Sequence, residues 1–239
     1  GVSTSGVQQW FRSRDSSILL FLKTVTSIRV MNTPSGTPRT AIRLREDAPR
    51  RELGPKIGRE KASVLFSSVM DPTSGRSWQI FAADFQVPKI FGRQFKAVGE
   101  TTRVSVGIPN NRDPSNLYAG LPTEVKLGFP AAIDGAFDTD TARTKIQESD
   151  WNRWLLTKVS SILSLAAIWL LEHKPIDGWS AVPLRQEIPQ PNSWFGKHCL
   201  KIATEVQSKL LRDGLIAAGT ETCRLKDLTY ESEHLRNIL

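Results

Sequence analysis

Arg143 is the one cation in the segment DTDTART, which covers residues 138–144. Aspartate and threonine are good N-cap residues, and an apolar helical pattern begins a few residues later, so we expect a polar loop that leads into a helix. A guanidinium is planar and can stabilise negative charge that develops on a phosphate during its transfer. The segment therefore predicts a single charged group that is presented to a ligand held by another domain.

A second set of cations lies in DAPRRELGPKIGREK, residues 47–61, where it consists of Arg50, Arg51, Lys56 and Arg59. Proline, glycine and glutamate are interspersed with them and no apolar periodicity is visible, so a mobile loop is predicted. These four residues are candidates for a surface that binds phosphate or nucleic acid. A charged loop without any ligand explains them almost as well.

The charge of the chain is concentrated in its first part. The net charge is +8, and residues 1–103 carry 17 Lys and Arg against 8 Asp and Glu, so the other 136 residues are close to neutral. A basic lobe of this kind attracts nucleic acid, the phosphates of a nucleotide or an acidic neighbouring domain. A solvated surface of mixed charge is the simpler interpretation, and both stay open at this point.

The familiar catalytic motifs are missing from the sequence. It contains no phosphate-binding loop of the G-x-x-x-x-G-K-[ST] type, no G-x-G-x-x-G, no G-x-S-x-G and no H-E-x-x-H. The three histidines lie far apart, and only His198 has a cysteine beside it, so we expect no metal site. The chain alone is therefore predicted to be non-catalytic, without a cofactor of its own, and neither to bind nor to hydrolyse ATP appreciably.

The elements that must hold these residues predict an α+β fold. Alternating runs predict a mostly antiparallel sheet, with paired strands over residues 61–70 and 77–87 that flank the turn DPTSGR. An extended run is expected over residues 121–133. A long amphipathic helix follows from residue 150, with Trp151, Trp154, Leu155, Ile162 and Trp169 on its buried side. A second helix is expected over residues 194–213, with Gly214 as its C-cap.

The central part of the chain resembles a known family. A proline-containing strand, a G-L-P turn, a small-residue turn with Phe, an arginine and a W-N-x-x-L-L helix follow one another in sacsin repeats and in bacterial proteins with a sacsin-like ATP-binding region. They stand here as Ile108-Pro109, Gly120-Leu121-Pro122, Gly135-Ala136-Phe137, Arg143 and Trp151-Asn152 with Leu155-Leu156. ILLFLKTVTSIRV near the start and RLKDLTYESEHL near the end are also similar to segments of that family.

The resemblance implies a fold and a partner. In that family, which belongs to the gyrase, histidine-kinase and heat-shock-chaperone (GHKL) superfamily, this segment follows the nucleotide-binding domain, whose Asp-x-Gly-x-Gly signature is absent here. Residues 1–174 would form a transducer-like middle domain and residues 175–239 a smaller C-terminal helical α/β end piece. Arg143 would contact the γ-phosphate, and ATP with Mg²⁺ would be bound only by the missing N-terminal ATPase domain of the same polypeptide.

Two alternatives stand beside the chaperone-like middle domain. The basic lobe predicts a nucleic-acid-binding module of a DNA- or RNA-associated ATPase, and a scaffold domain without a ligand is the third interpretation. A client protein or a nucleic acid is a further expected partner, and a membrane is not, because no apolar run reaches about 18 residues. Two cysteines and no Asn-x-Ser/Thr acceptor predict a cytoplasmic protein.

Overall fold

The computed structural model describes residues 16–22, 25, 27–31, 38–43, 45–57, 61–91, 100–111, 115–174, 178–179, 181–213, 215–218 and 221–224. Its fold is α+β, as predicted from the sequence. The strands are β1 (Ser27–Met31), β2 (Pro38–Arg43), β3 (Arg45–Ile57), β4 (Ala62–Met70), β5 (Ser77–Gln86), β6 (Thr101–Pro109), β7 (Asn116–Ala119), β8 (Leu121–Lys126), β9 (Ala132–Asp134), β10 (Leu215–Ala218) and β11 (Glu221–Arg224). The helices are α1 (Asp150–His173) and α2 (Trp194–Arg212), with short 3₁₀ turns at Ser16–Leu19 and Arg185–Glu187.

Seven of these strands form one mixed sheet in the order β3-β4-β5-β6-β9-β7-β8. The predicted pairing of β4 with β5 is confirmed, and β5 pairs with β6 in the same antiparallel way. The three-residue strand β9 lies between β6 and β7, antiparallel to the first and parallel to the second. The predicted extended run over residues 121–133 is thus divided between β8 and β9, which do not pair with each other. β1 with β2 and β10 with β11 form two separate antiparallel pairs.

One face of the sheet carries the main hydrophobic core. Alternate residues of the central strands point to this face and are fully buried, including Phe81 and Phe85 of β5 and Val104 and Val106 of β6. Helix α1 covers them with one side, as its periodicity predicts. Trp151, Leu155 and Ile162 are buried, and Trp154 and Trp169 are partly buried at the margins of the same core. Side chains on this face therefore position α1, and with it the loop that precedes α1.

The other face of the sheet is covered in part by residues near the chain start. Ile18, Leu19 and Leu20 pack with Trp78, Tyr118 and Ala132 in a second, smaller cluster. The hydroxyl of Tyr118 donates a hydrogen bond to the carbonyl of Ser17 at 3.1 Å. The short 3₁₀ turn Ser16–Leu19 belongs to the same segment. The polar remainder of this face stays open and forms a cleft that is described below.

The segment predicted as a mobile loop is a strand, and this prediction was wrong. β3 pairs with β4 over most of its 13 residues, with register shifts between Glu46 and Ala48, between Ala48 and Arg51 and between Leu53 and Lys56. A proline lacks the N–H that a central strand must donate, but an edge strand with bulges tolerates it. β3 is the edge of the sheet, so its prolines, glycine and charges hide the strand pattern without preventing the pairing.

Helix α1 begins at a regular cap and ends at the exposed residue His173. The hydroxyl of Ser149 accepts a hydrogen bond from the backbone N–H of Asn152, which satisfies one of the free donors of the first turn. Helix α2 packs against α1 and adds Cys199, Ile202 and Val206 to the main core. The predicted boundary between residues 174 and 175 falls directly after α1 and stays a prediction. Gly214 and the tail after residue 224 lie outside the described residues.

By length and composition alone, α1 could cross a membrane. Its most apolar 18-residue window has a mean hydropathy of 1.7, but 67% of that window is buried in the fold. Packing against the sheet and α2 accounts for this apolar character, as in a core helix.

Candidate functional site

Arg143 lies in a compact loop that connects the sheet to α1. We call residues 138–147 the Arg143 loop. Its two ends are joined by hydrogen bonds from the N–H of Gln147 to the carbonyl of Asp138 (2.9 Å) and from the N–H of Asp140 to the carbonyl of Lys145 (3.0 Å). Arg143 itself has a φ of 58°, in the left-handed region. A residue with a Cβ adopts this conformation at a cost of about 1–2 kcal/mol, so the rest of the loop must hold it there.

The carboxylate of Asp140 supplies that support. Its Oδ1 accepts hydrogen bonds from the backbone N–H groups of Thr144 (2.7 Å) and Lys145 (3.0 Å), and its Oδ2 accepts one from the Thr144 hydroxyl (2.6 Å). The hydrogen bond from the Thr144 hydroxyl, followed by the bond from Lys145, lowers the pKa of Asp140 below its usual value. The carboxylate of Asp140, three residues before Arg143, therefore holds the two residues that follow Arg143.

The loop is also fixed to the start of α1. Asn152 is fully buried, and its Nδ2 donates to the carbonyls of Asp138 (2.9 Å) and Gln147 (2.8 Å) while its Oδ1 accepts from the N–H of Asp138 (2.9 Å). Beside it, Nε1 of Trp151 donates to the carbonyl of Ala136 at 2.7 Å. Asn152 therefore holds both ends of the Arg143 loop against the helix, and Trp151 holds the segment just before the loop. Any movement of the loop must therefore move α1 or break buried hydrogen bonds.

The Arg143 side chain reaches the turn between β7 and β8. Its Nη2 donates to the carbonyl of Ala119 at 2.7 Å, and its own carbonyl accepts from the N–H of Glu124 on β8 at 3.0 Å. Gly120, which follows Ala119 in this turn, has a φ of +78°, which the turn requires. The N–H of Gly120 donates to Oδ1 of Asp134 at 2.9 Å. Arg143 is half-buried at the edge of the sheet, close to the start of α1.

The nearby acids do not neutralise Arg143. Asp140 is occupied by its own loop, and Asp150 forms an ion pair with Arg153 at 2.8 Å. Burial raises the pKa of Asp138, whose backbone groups are held by Asn152. Within the described part of the chain, the guanidinium has only the carbonyl of Ala119 as a partner. A guanidinium has five N–H groups, so most of them stay available to an anion.

A cleft of about 710 Å³ lies on the open face of the sheet, next to the turn that Arg143 contacts. We call it the sheet cleft. Its polar lining includes Arg50, Ser67, Arg103, Ser105, Gly120 and Asp134. Arg103 is held by Asp84 of the neighbouring strand, with Nε 2.8 Å from Oδ1 and Nη2 2.5 Å from Oδ2. The volume of the sheet cleft and its mixture of polar and apolar lining residues are typical of a site for a small molecule.

Arg50, Arg51 and Lys56, the three candidate phosphate-binding cations that the structure describes, do not form one surface. Arg50 lines the sheet cleft, whereas Arg51 lies on the core side of the sheet, 5.3 Å from the ring of Phe66 and 5.6 Å from that of Trp169. Lys56 lies near the other end of β3, beside α1 and α2. Arg59 is outside the described residues. Successive residues of a strand point to opposite faces, which separates Arg50 from Arg51.

Asn152 was not identified as a site residue from the sequence. An asparagine in the first turn of a helix suggests a cap or a solvent-exposed side chain, and its actual acceptors are backbone carbonyls that no sequence pattern displays. The one available signal was its position directly after Trp151 within the family-like motif. Its three hydrogen bonds make it the residue that connects the Arg143 loop to α1.

Metal-binding and thiol chemistry find no support at the described positions. No group of three or more His, Cys, Asp and Glu side chains that could hold a metal ion occurs among the residues the structure describes. His198 contacts the carbonyl of Trp194 through its Nδ1, at 3.0 Å. Cys199 is buried in α2, and burial raises the pKa of its thiol from 9.0 to about 12.

The raised pKa predicts that the Cys199 thiol is unreactive while the protein is folded. In a Cys223→Ser variant at pH 8, a disulfide reagent should modify Cys199 at least about a hundredfold more slowly in the folded protein than in denaturant, because the thiolate is the reacting form. Modification in the absence of denaturant at the rate of a free thiol would contradict the described burial of Cys199.

Comparisons of the chain with models of protein families, with curated protein sequences and with solved structures found no match.

Proposed function

We propose that this chain is the transducer-like middle segment of a larger, sacsin-like ATPase of the chaperone type. In this proposal, Arg143 completes the ATP site of an N-terminal nucleotide-binding domain of the same polypeptide, which binds ATP and Mg²⁺. The smaller piece formed by α2 and the strands after it is the C-terminal end of the segment. A cytoplasmic location and a client protein belong to the same proposal.

The observation that carries the proposal is the conformation of Arg143. Helix stability does not call for an arginine at this position, since a cation before a helix start is mildly unfavourable to the helix dipole. The left-handed backbone adds a further cost, and the Asp140 carboxylate and Asn152 offset it with six hydrogen bonds. A chain that maintains such a strained residue and gives its guanidinium one neutral partner is well suited to deliver the charge elsewhere.

The chemistry of phosphoryl transfer fits this arrangement. Negative charge on the terminal phosphate oxygens is stabilised most by a donor whose orientation is fixed before the reaction. The Arg143 loop fixes the backbone, and the carbonyl of Ala119 restrains one guanidinium nitrogen without neutralising the group. The remaining donors can face a phosphate that a docked domain brings to the edge of the sheet.

The anchoring of the loop supplies a route from the nucleotide to the rest of the domain. Trp151 and Asn152 lie in the first turn of the 24-residue helix α1, which at 1.5 Å per residue is about 36 Å long. A displacement of Arg143 on hydrolysis or phosphate release would be passed to α1 through their hydrogen bonds. Coupling of this kind is what a transducer segment requires.

The test is the substitution of Arg143 in the polypeptide that joins this chain to its nucleotide-binding domain. Arg143→Ala is expected to lower kcat for ATP hydrolysis about tenfold or more and to leave the Kd for ATP within a few-fold, since an interaction made mainly in the transition state affects turnover. Arg143→Lys should restore only part of the rate, because an ammonium cannot keep the carbonyl of Ala119 and reach the phosphate in the same way.

Arg153→Ala is the matched control. It removes an exposed arginine near the same helix start, one that already has two acidic partners, Glu148 and Asp150. Hydrolysis in this variant should stay within about twofold of the unmodified rate. Unchanged turnover in Arg143→Ala, or an equal loss in the control, would reject the proposed role of Arg143.

The nucleic-acid-binding alternative predicts a different measurement. Binding through phosphate contacts weakens steeply as salt concentration rises. Arg50 and Arg51 lie on opposite faces of the sheet and Lys56 lies near the end of β3, which argues against a single basic surface formed by these three residues. A scaffold role predicts neither a salt-dependent ligand nor an effect of Arg143 on turnover.

A further inference from the structure

A second cleft, far in sequence from the Arg143 loop, has the composition of an anion site. We call it the serine cleft. It has a volume of about 430 Å³ and lies where the end of β3 meets α1 and the last turns of α2. Its polar lining consists of Lys56, Ser160, Ser161, Ser164, Lys209 and Arg212, with Glu205 beside them. Ile57 is its one apolar lining residue.

Two elements contribute to the positive charge of the serine cleft. Lys56 comes from the edge strand of the sheet, and Lys209 and Arg212 come from successive positions on one side of α2. Cations in the last turn of a helix also suit the helix dipole, which accounts for Lys209 and Arg212 taken alone. It does not account for Lys56, which a different element brings to the same cleft. With Glu205 included, the four charged groups sum to a net charge of about +2 at neutral pH, from the ordinary ionisation of these side chains.

The one acid of the cleft is already occupied. Oε2 of Glu205 accepts a hydrogen bond from the Ser160 hydroxyl at 2.5 Å, and Oε1 lies 3.9 Å from Nζ of Lys201, outside the cleft. Ser160 and Lys201 thus hold the carboxylate of Glu205 at one side of the cleft, and neither of these two residues is needed to bind a ligand. The three cations face the cleft without a carboxylate that pairs with them within the described part of the chain.

Ser164 supplies the observation that is independent of charge. It is only 5% exposed and lines the cleft, and no hydrogen bond to another described residue satisfies its hydroxyl. Its hydroxyl can therefore donate a hydrogen bond to an acceptor that enters the cleft.

We propose that the serine cleft binds a compact phosphate-bearing anion, such as inorganic phosphate, pyrophosphate or a small phosphate ester. The cations neutralise the charge, and the hydroxyl of Ser164 donates a hydrogen bond to a phosphate oxygen. Because no aromatic side chain lines the cleft among the residues that the structure describes, a nucleobase gains no stacking contact from them. The site does not include Arg143 and is independent of the proposed contact with the γ-phosphate.

The test is calorimetric titration of the chain with pyrophosphate, inorganic phosphate and ADP at one fixed ionic strength. Pyrophosphate should bind more tightly than phosphate, and ADP should bind no more tightly than pyrophosphate. Lys209→Ala should weaken pyrophosphate binding about tenfold, and Ser164→Ala about three- to fivefold, the second without any change in net charge. ADP binding that exceeds pyrophosphate binding by tenfold or more would overturn the proposed ligand class.

Lys197→Ala is the control for unspecific attraction. Lys197 is an exposed lysine on the same helix and does not line the cleft, so its removal changes net charge by the same amount as Lys209→Ala. Binding in this variant should stay within about twofold. If Lys197→Ala and Lys209→Ala weaken binding equally, or if Ser164→Ala has no effect, the serine cleft is not the site. Thermal unfolding of each variant without ligand separates a loss of binding from a loss of fold.

Discussion

Replacing Asn152 by Asp is expected to lower the free energy of unfolding by about 3–5 kcal/mol at neutral pH. The substitution keeps the shape of the side chain and the acceptor for the N–H of Asp138. It removes the two donors to the carbonyls of Asp138 and Gln147 and sets a buried carboxylate against both oxygens. Chemical denaturation, monitored by tryptophan fluorescence, measures the loss.

The pH dependence of that loss has a definite sign. Burial and the two carbonyls raise the pKa of the introduced carboxyl above its unfolded value of about 3.9. The defect relative to the unmodified protein should therefore be smallest at acid pH, where the carboxyl is protonated and can donate, and should grow as pH rises through the folded-state pKa. A defect that does not vary with pH would contradict this account of Asn152.

Gln147→Glu is the matched control for Asn152→Asp. It also converts an amide to an acid in the Arg143 loop, but Gln147 is exposed and its Nε2 makes one hydrogen bond, to the carbonyl of Thr139 at 3.2 Å. The control should cost no more than about 0.5 kcal/mol. Equal losses in the two variants would mean that added negative charge, and not the buried hydrogen bonds, determines the result.

Leu155→Ala is expected to cost about 2–5 kcal/mol of stability, because it leaves a cavity where α1 packs on the sheet. Leu155 is fully buried, and its neighbours in the core come from both the helix and the strands. The slope of the denaturation curve should stay unchanged, since the same surface is exposed on unfolding. The midpoint of the curve measures the effect.

Leu211→Ala is the corresponding control on the other helix. Leu211 is 75% exposed on α2, so the same chemical change removes little contact and should alter stability by less than about 0.5 kcal/mol. A loss below about 0.5 kcal/mol for Leu155→Ala would show that α1 is not docked on the sheet as described.

The parts of the fold that sequence reasoning predicted are those with regular periodicity. Alternation on both sides of DPTSGR predicted the β4–β5 pair, and its turn is closed by the N–H of Asp71 on the carbonyl of Arg76 at 2.8 Å. Helical spacing predicted the start of α1 at residue 150 and both ends of α2 to within one residue. In these segments each residue contributes to the pattern through its own burial, so local sequence is sufficient.

The parts that were missed depend on neighbours far along the chain. The sequence of β3 has no regular strand pattern, because an edge strand with bulges can contain prolines such as Pro49 and Pro55. Only its pairing with β4 identifies it as a strand. The candidate site, too, has one feature that the local sequence predicted and others that it did not. The position of Arg143 between an extended run and a helix was visible in the sequence, whereas its left-handed backbone and the three hydrogen bonds of Asn152 arise from contacts between loop, turn and helix.

The short strand β9 also restricts the register in which the strands of this sheet can pair. Its pairing joins the β7–β8 hairpin to the other strands, through Ile133 and its two neighbours. A shift of one residue would turn Ile133 toward the open face and move the carboxylate of Asp134 into the apolar layer beneath α1. The cost of burying that charge excludes the shifted alignment, so an alternation of only three residues can fix the register. During folding, the hairpin that contacts Arg143 can therefore join the sheet in one alignment only.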